Sequence, residues 1–97
     1  MKERIVKNEE RLNSALSSIK KLEDALNEFK SNKKNIDLLN KYYGSKDWFI
    51  DKENFELGKY KNLKAGVLSE DAVWNLNEQI NELFERIEEI KTLHNNK

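Results

Sequence analysis

Apolar residues recur with a seven-residue period over the first part of the chain, and no other feature restricts the fold as strongly. Two rows of apolar side chains follow this period and are offset by three residues. The first row is Ile5, Leu12, Ile19 and Leu26, and the second is Ala15, Leu22, Phe29, Ile36 and Tyr43. Such rows are the a and d positions of a heptad pattern, which places one apolar stripe along an α-helix. The repeat therefore predicts a long N-terminal helix over about residues 2–43.

The predicted helix has a well-marked end and one weak place. No Pro or Gly interrupts residues 2–43, and Gly44 stands where a glycine commonly ends a helix. Asn8 falls on a d position and Lys33 on an a position, so the apolar stripe is imperfect. Residues 31–35 hold little apolar content and several poor helix formers. A continuous helix and a helix kinked within 31–35 both fit this sequence.

A second apolar row predicts a C-terminal helix over about residues 70–94. Its members alternate by three and four positions: Val73, Leu76, Ile80, Leu83, Ile87 and Ile90. Ser69 is a natural N-cap, because its hydroxyl can accept a hydrogen bond from a free backbone N–H of the first turn. Glu70 and Asp71 then place negative charge at the positive end of the helix dipole. The sequence thus indicates both the start of this helix and the face that packs.

The segment between the two helices, residues 44–68, is rich in aromatic side chains. A structureless connector of this length is unusual inside a compact domain, so we expect it to pack. Ser45 can begin a short helix from Lys46 to about Lys52. The aromatic residues in and beside the connector are expected to form a small core of their own: Trp48, Phe49, Phe55, Tyr60 and Trp74.

Together these elements predict an all-α fold in one domain, residues 1–97, with the two long helices in an antiparallel hairpin or small bundle. At 1.5 Å per residue the first helix would be roughly 60 Å long and the second roughly 38 Å. Antiparallel packing would therefore leave about 20 Å of the first helix uncovered, including Ile5 and Leu12. A kink that folds the helix back, a second copy of the chain, or another protein would each cover this stripe. We expect a protein partner or a homodimer.

The residue types present argue against an enzyme. The chain has no cysteine, which excludes a disulfide and a thiolate-bound metal, and one histidine, His94, at the end of the last helix. No phosphate-binding glycine loop and no nucleophile with an activating base can be recognised. We therefore expect no catalytic residue, no metal and no cofactor.

The charged first residues lack the apolar run of a signal peptide, and no apolar segment is long enough to span a bilayer. We therefore expect the protein to be cytoplasmic and not to be embedded in a membrane.

The chain has no net charge, but its basic and acidic residues are concentrated in different segments. Residues 30–64 carry nine basic and five acidic side chains, whereas residues 65–97 carry three basic and seven acidic ones. Lysines in the middle, including Lys33 and Lys34, alternate with aromatic rings, and such a surface can track a nucleic-acid backbone. The scarcity of arginine and the acidic last helix argue against this alternative. Nucleic-acid binding is thus the second hypothesis, behind protein binding.

Three segments resemble a known family. They are residues 42–45 (Tyr-Tyr-Gly-Ser), residues 47–49 (Asp-Trp-Phe) and residues 63–74, which contain Gly-Val-Leu-Ser-Glu-Asp. The chain is similar over nearly its whole length to short uncharacterised proteins of low-GC Gram-positive bacteria and their phages and mobile elements, known only as a domain of unknown function. Ala65 departs from the basic residue expected beside Lys64. The resemblance implies a natural single domain and brings no established activity.

These observations lead to one functional hypothesis. The chain is expected to be a non-enzymatic protein-binding module, such as a phage or mobile-element accessory factor that inhibits or adapts a host protein. The residues expected to contact the partner belong to the uncovered stripe, the aromatic connector and the basic middle: Ile5, Leu12, Lys33, Lys34, Trp48 and Phe49.

Overall fold

The computed structural model describes residues 2–96, and within that range it contains helices and no strand. The α-helices are α1 (Lys2–Ser31), α2 (Lys33–Tyr42), α3 (Lys46–Glu56) and α4 (Ala72–Asn95), and a short 3-10 turn occupies Gly66–Leu68. The predicted all-α fold is confirmed. The connector contains α3 and the 3-10 turn. The sequence predicts a shorter form of α3 and does not predict the 3-10 turn.

The boundary between α1 and α2 lies at Asn32, within the weak stretch of the sequence. The Asn32 N–H donates to the carbonyl oxygens of both Glu28 (3.2 Å) and Phe29 (3.1 Å), and the Asn32 carbonyl accepts from the Ile36 N–H at 3.0 Å. The Ser31 hydroxyl also donates to the Glu28 carbonyl at 2.7 Å, a side-chain bond that often bends helices. Backbone hydrogen bonds thus continue past Asn32 although the helical geometry is interrupted there.

The chain forms two compact units, Met1–Asp37 and Leu38–Lys97, called here the N-terminal and C-terminal units. The N-terminal unit contains α1, which has no buried residue, and the first half of α2. Ion pairs between Lys20 and Asp24 (2.7 Å) and between Lys33 and Asp37 (2.9 Å) connect successive turns. Each such exposed pair contributes only about 0.3–0.5 kcal/mol. The antiparallel pairing of the long helices and the single domain over residues 1–97 stay predictions.

The core of the C-terminal unit is small and is built from three elements. Trp48 of α3, Leu68 of the 3-10 turn and Val73 of α4 are buried. The Trp48 indole N–H donates to the Val67 carbonyl at 2.9 Å, which joins α3 to the 3-10 turn. The Tyr43 ring lies edge-on to the Trp48 ring with centroids 5.4 Å apart. One indole therefore holds the end of α2, α3 and the connector together.

Two serines stand before helices. The Ser45 hydroxyl accepts from the Trp48 N–H at 3.2 Å and caps α3, which extends to Glu56. The Ser69 hydroxyl accepts from the Ala72 N–H at 3.1 Å. Nevertheless α4 begins at Ala72, two residues later than the sequence predicts, and the Glu70 carbonyl instead accepts a hydrogen bond from the Tyr43 hydroxyl. This tertiary contact involves a residue that the sequence places in the helix and the structure places before it.

The predicted aromatic core is smaller in the structure. Trp48 is buried and Phe55 is half-buried, whereas Phe49, Tyr60 and Trp74 are exposed. The reason lies in helix geometry, because adjacent helical residues point about 100° apart. Phe49 therefore leaves the face that Trp48 buries, and Trp74 leaves the face of its buried neighbour Val73.

Candidate interaction surface on the first helix

The largest apolar feature of the N-terminal unit is a stripe along α1, called here the α1 seam. Its six members lie on neighbouring turns and are all more than half exposed: Ile5 (72%), Leu12 (53%), Leu16 (56%), Ile19 (53%), Leu22 (53%) and Leu26 (51%). Single exposed leucines are ordinary on protein surfaces, but a contiguous apolar stripe is a feature of interaction sites. The structure therefore places the predicted residues Ile5 and Leu12 in a longer exposed stripe.

The uncovered state of α1 is energetically unusual for a helix of its length. The helix has 30 residues, which corresponds to about 45 Å. Helices in proteins obtain most of their stability from the tertiary packing of an apolar face rather than from intrinsic helix propensity. The sequence of α1 includes weak helix formers such as Asn13, Ser17 and Asn27. Burial of the α1 seam would supply the packing energy that α1 lacks.

Charged residues of both signs flank the α1 seam. With Ile5 at an a position, Arg4 and Arg11 occupy g positions on one side, and Glu9 and Glu23 occupy e positions on the other. A shallow groove near the N-terminus is lined by Arg4, Ile5, Asn8, Glu9 and Leu12. Apolar residues with charged flanks are the arrangement by which one helix recognises another. Charges of both signs beside an apolar stripe fit a protein partner better than a uniformly charged partner such as a nucleic acid.

The structure separates the two aromatic candidates. Phe49 is 60% exposed, whereas Trp48 is 4% exposed. Besides its hydrogen bond to Val67, the Trp48 ring is contacted by the Lys52 ammonium, 5.1 Å from the ring centroid. Trp48 therefore cannot present its ring to a partner in this conformation, and its assignment as a partner-binding residue is corrected to a core role. Phe49 remains a candidate contact.

The lysines of the middle segment differ in their surroundings. The Lys33 ammonium contacts both carboxylate oxygens of Asp37, at 2.9 and 3.0 Å, while Lys34 is exposed. Lys52 pairs with Glu70 at 2.9 Å, and this hydrogen bond raises the pKa of Lys52 and lowers the pKa of Glu70. Two of the lysines thus already face a carboxylate within the chain. Nucleic-acid binding by this segment stays a prediction.

A hydrogen bond between α2 and α3 in the C-terminal unit could not be predicted from the sequence. The Tyr42 hydroxyl donates to the Asp51 carboxylate at 2.6 Å, and this hydrogen bond raises the pKa of Tyr42 to about 12. It connects the last residue of α2 to the middle of α3 and lies beside a cleft that Tyr60 and Lys64 also line. The turn at Gly44 is the only sequence signal that brings these two residues near each other.

Residues 2–96 contain no cluster of three or more His, Cys, Asp or Glu side chains that could hold a metal ion. None of the helices in this range combines the length and the apolar character needed to cross a membrane.

A family model described as a domain of unknown function, DUF4298, matches residues 5–90 of the chain. No curated protein and no solved structure gives a significant match.

Proposed function

We propose that this chain, which belongs to the DUF4298 family of unknown function, is a non-enzymatic module that binds another protein chain through the α1 seam. The single observation that supports this most strongly is the exposure of six apolar side chains along one stripe of α1. In a host cell the module would act as an accessory or inhibitory factor, in Gram-positive bacteria and their phages or mobile elements. Its mechanism is occupancy of a surface rather than chemistry on a substrate.

Burial of the α1 seam would contribute favourably to the free energy of association. Complete burial of an exposed Leu or Ile side chain contributes about 1.5–3 kcal/mol. The six residues of the α1 seam are about half exposed, so each would contribute on the order of 1 kcal/mol when covered. Several kcal/mol from the stripe as a whole would offset much of the free energy that association costs.

The chemistry of the α1 seam favours a helical protein partner over a lipid surface or a nucleic acid. A helix that lies on a membrane commonly has a polar face dominated by Lys and Arg, whereas residues 1–29 carry six basic and six acidic side chains. A nucleic acid would be attracted by a uniformly basic face. The seven-residue period is instead the one that packs against another helix.

Site-specific photo-crosslinking tests this proposal. A benzophenone amino acid is placed at Leu12 or Ile19 in the α1 seam, and at Ser17 or Asp24 on the opposite face as matched controls. Irradiation in cells should give an adduct with a second protein chain from the two seam positions and none from the control positions. Equal adducts from both faces, or an adduct confined within one chain, would contradict the proposal.

A pair of charge insertions provides an independent readout. Leu12→Glu combined with Ile19→Glu places two carboxylates in the α1 seam, and Ser17→Glu combined with Ser14→Glu adds the same charge outside it. With the benzophenone amino acid placed at Leu22, a third seam position, the seam variant should lose the adduct, while the control variant retains it. Circular dichroism on the control variant shows whether two added carboxylates alone unfold α1.

A further inference from the structure

We infer that the chain covering the α1 seam is a second copy of the same protein, and that the two α1 helices form a parallel, in-register coiled coil. This inference rests on the proposed function, because it names the partner of the same surface. Three features of α1 support it: the layers of the α1 seam, the polar residue Asn8, and the charges at the e and g positions.

When two copies of α1 align in parallel and in register, each apolar residue of the α1 seam packs against the same residue of the second copy and forms one layer. In this register each a or d residue meets the same residue of the second copy. Ile5, Leu12, Ile19 and Leu26 then form four apolar a layers, with Ala15 and Leu22 between them. A period of 3.5 residues is maintained along the seam, and this is the period that lets two helices stay in contact by left-handed supercoiling.

Asn8 distinguishes the parallel from the antiparallel arrangement. Its side-chain amide donates to the Arg4 carbonyl at 2.8 Å, and its amide oxygen accepts from Arg11 at 3.2 Å. An Asn side chain has two donors and two acceptor lone pairs, so one of each remains to bond Asn8 of the second copy. In the antiparallel arrangement that overlaps all four heptads, Leu12 faces Leu22 and Asn8 faces Leu26. A polar amide against an apolar side chain is unfavourable.

The flanking charges favour the same arrangement. In a parallel pair, each g residue faces the e residue five positions later in the other helix. Arg4 then faces Glu9 of the second copy, twice in the dimer, and Arg11 faces Leu16, whose surface its methylene groups can cover. The remaining g–e pairs of α1, Ser18 with Glu23 and Ala25 with Lys30, contain no like charges.

The antiparallel arrangement is less favourable on charge as well. It would bring Glu9 close to Glu23 of the second copy, where two carboxylates repel each other. The parallel, in-register pair is therefore the arrangement that satisfies Asn8 and avoids like charges along α1.

The absence of cysteine from the sequence makes disulfide trapping a clean test in the full chain. Leu12→Cys and Ile5→Cys each place one thiol in the α1 seam and leave Asn8 intact, and Ser17→Cys places one on the opposite face as a control. In the parallel pair, equivalent seam cysteines lie within the few ångströms that a disulfide spans. In the antiparallel pair, the two copies of position 12 lie about 15 Å apart along the axis. We expect rapid covalent dimers from both seam variants and slow, collision-limited ones from Ser17→Cys.

Other outcomes of this experiment would overturn the inference. A mixture of Leu12→Cys and Leu22→Cys chains that cross-links faster than either alone would indicate an antiparallel pair. Seam cysteines that react no faster than Ser17→Cys, in a chain that sedimentation equilibrium shows to be monomeric, would exclude the homodimer. Were the photo-crosslinks at Leu12 and Ile19 still to capture a different protein, the proposed function would stand without this inference.

Charge exchange tests the register through a different readout. Arg4→Glu or Glu9→Lys alone replaces two attractive pairs per dimer by two repulsive ones, and the dissociation constant should rise roughly two- to tenfold. The double variant restores opposite charges and should recover most of that loss. Similar affinities of the single and double variants would show that Arg4 and Glu9 do not face each other across the dimer.

Discussion

Asn40 and Asn77 exchange two side-chain hydrogen bonds and so join α2 to α4 within the C-terminal unit. The Asn77 amide donates to the Asn40 oxygen at 2.7 Å, and the Asn40 amide donates to the Asn77 oxygen at 3.3 Å. Each amide thus serves as donor and acceptor for the other. The pair fixes the end of α2 against the first turns of α4 by polar contacts rather than by apolar burial.

A double-mutant cycle should detect this coupling. Asn40→Ala and Asn77→Ala each break both hydrogen bonds, so the combined loss in the free energy of unfolding should be smaller than the sum of the single losses. We expect a coupling of about 0.5–1.5 kcal/mol from urea unfolding at one fixed protein concentration. Asn75→Ala, exposed on the same helix, is the control. Additive single losses would mean that the two amides do not bond each other in solution.

Gly44 and Gly66 should respond in opposite ways to alanine. Gly44 has φ of +75°, and an added Cβ there would meet no atom within 4 Å, so the expected loss for Gly44→Ala comes from the backbone alone. Left-handed conformation costs a residue with a Cβ about 1–2 kcal/mol. Gly66 has equally open surroundings without the positive φ, so Gly66→Ala should be neutral or slightly stabilising. Equal thermal unfolding midpoints of the two variants would contradict this assignment.

The two tryptophans should report different environments. Trp48→Phe leaves Trp74, which is 58% exposed, and its emission should be red-shifted and readily quenched by acrylamide. Trp74→Phe leaves the buried Trp48, with blue-shifted and protected emission. Trp48→Phe should also destabilise the chain by about 2–3 kcal/mol through the lost hydrogen bond to Val67 and the smaller ring. Trp74→Phe should change stability by less than about 0.5 kcal/mol. Similar quenching of both variants would place Trp48 at the surface.

Tyr42 should remain protonated at a pH at which a tyrosine normally ionises. Its hydrogen bond to Asp51 raises its pKa to about 12, above its unfolded value. The stabilisation is therefore complete below about pH 10 and is lost as the pH rises through the folded pKa. Ultraviolet titration of the phenolate should show a late component that disappears in Tyr42→Phe. Asp51→Asn removes the carboxylate and should move that component toward the ordinary range, whereas an unchanged curve would exclude the contact.

The periodic features of the fold could be predicted from the sequence because each depends on local spacing. The apolar rows give helices over most of residues 2–43 and 70–94, and the boundary between α1 and α2 lies within residues 31–35, where the sequence allows either a continuous or a kinked helix. Ser45 predicts the start of α3 by the same local argument, since an N-cap acts within one turn. What these features share is that their cause lies within a few residues of their effect.

The remaining features depend on contacts between distant residues. The sequence cannot show that the Tyr43 hydroxyl reaches the Glu70 carbonyl, and this contact accompanies the late start of α4. Nor does composition separate Trp48 from Phe49, because their difference depends on which side of α3 meets Leu68 and Val73. For the same reason Trp48 appears among the expected partner contacts. Ile5 and Leu12 are exposed, as the difference in helix length predicts, but the exposure continues along the α1 seam to Leu26, beyond the predicted overhang.

The indole hydrogen bond of Trp48 to Val67 has a consequence for how the family can diversify. It secures the far end of the segment between Leu57 and Ala65, while α3 secures the near end, so both anchor points are set without help from the residues between them. Extra residues in such a surface loop add only about 0.6 kcal/mol for each doubling of its length. A longer or differently charged loop can therefore be accommodated here while the helical scaffold is retained.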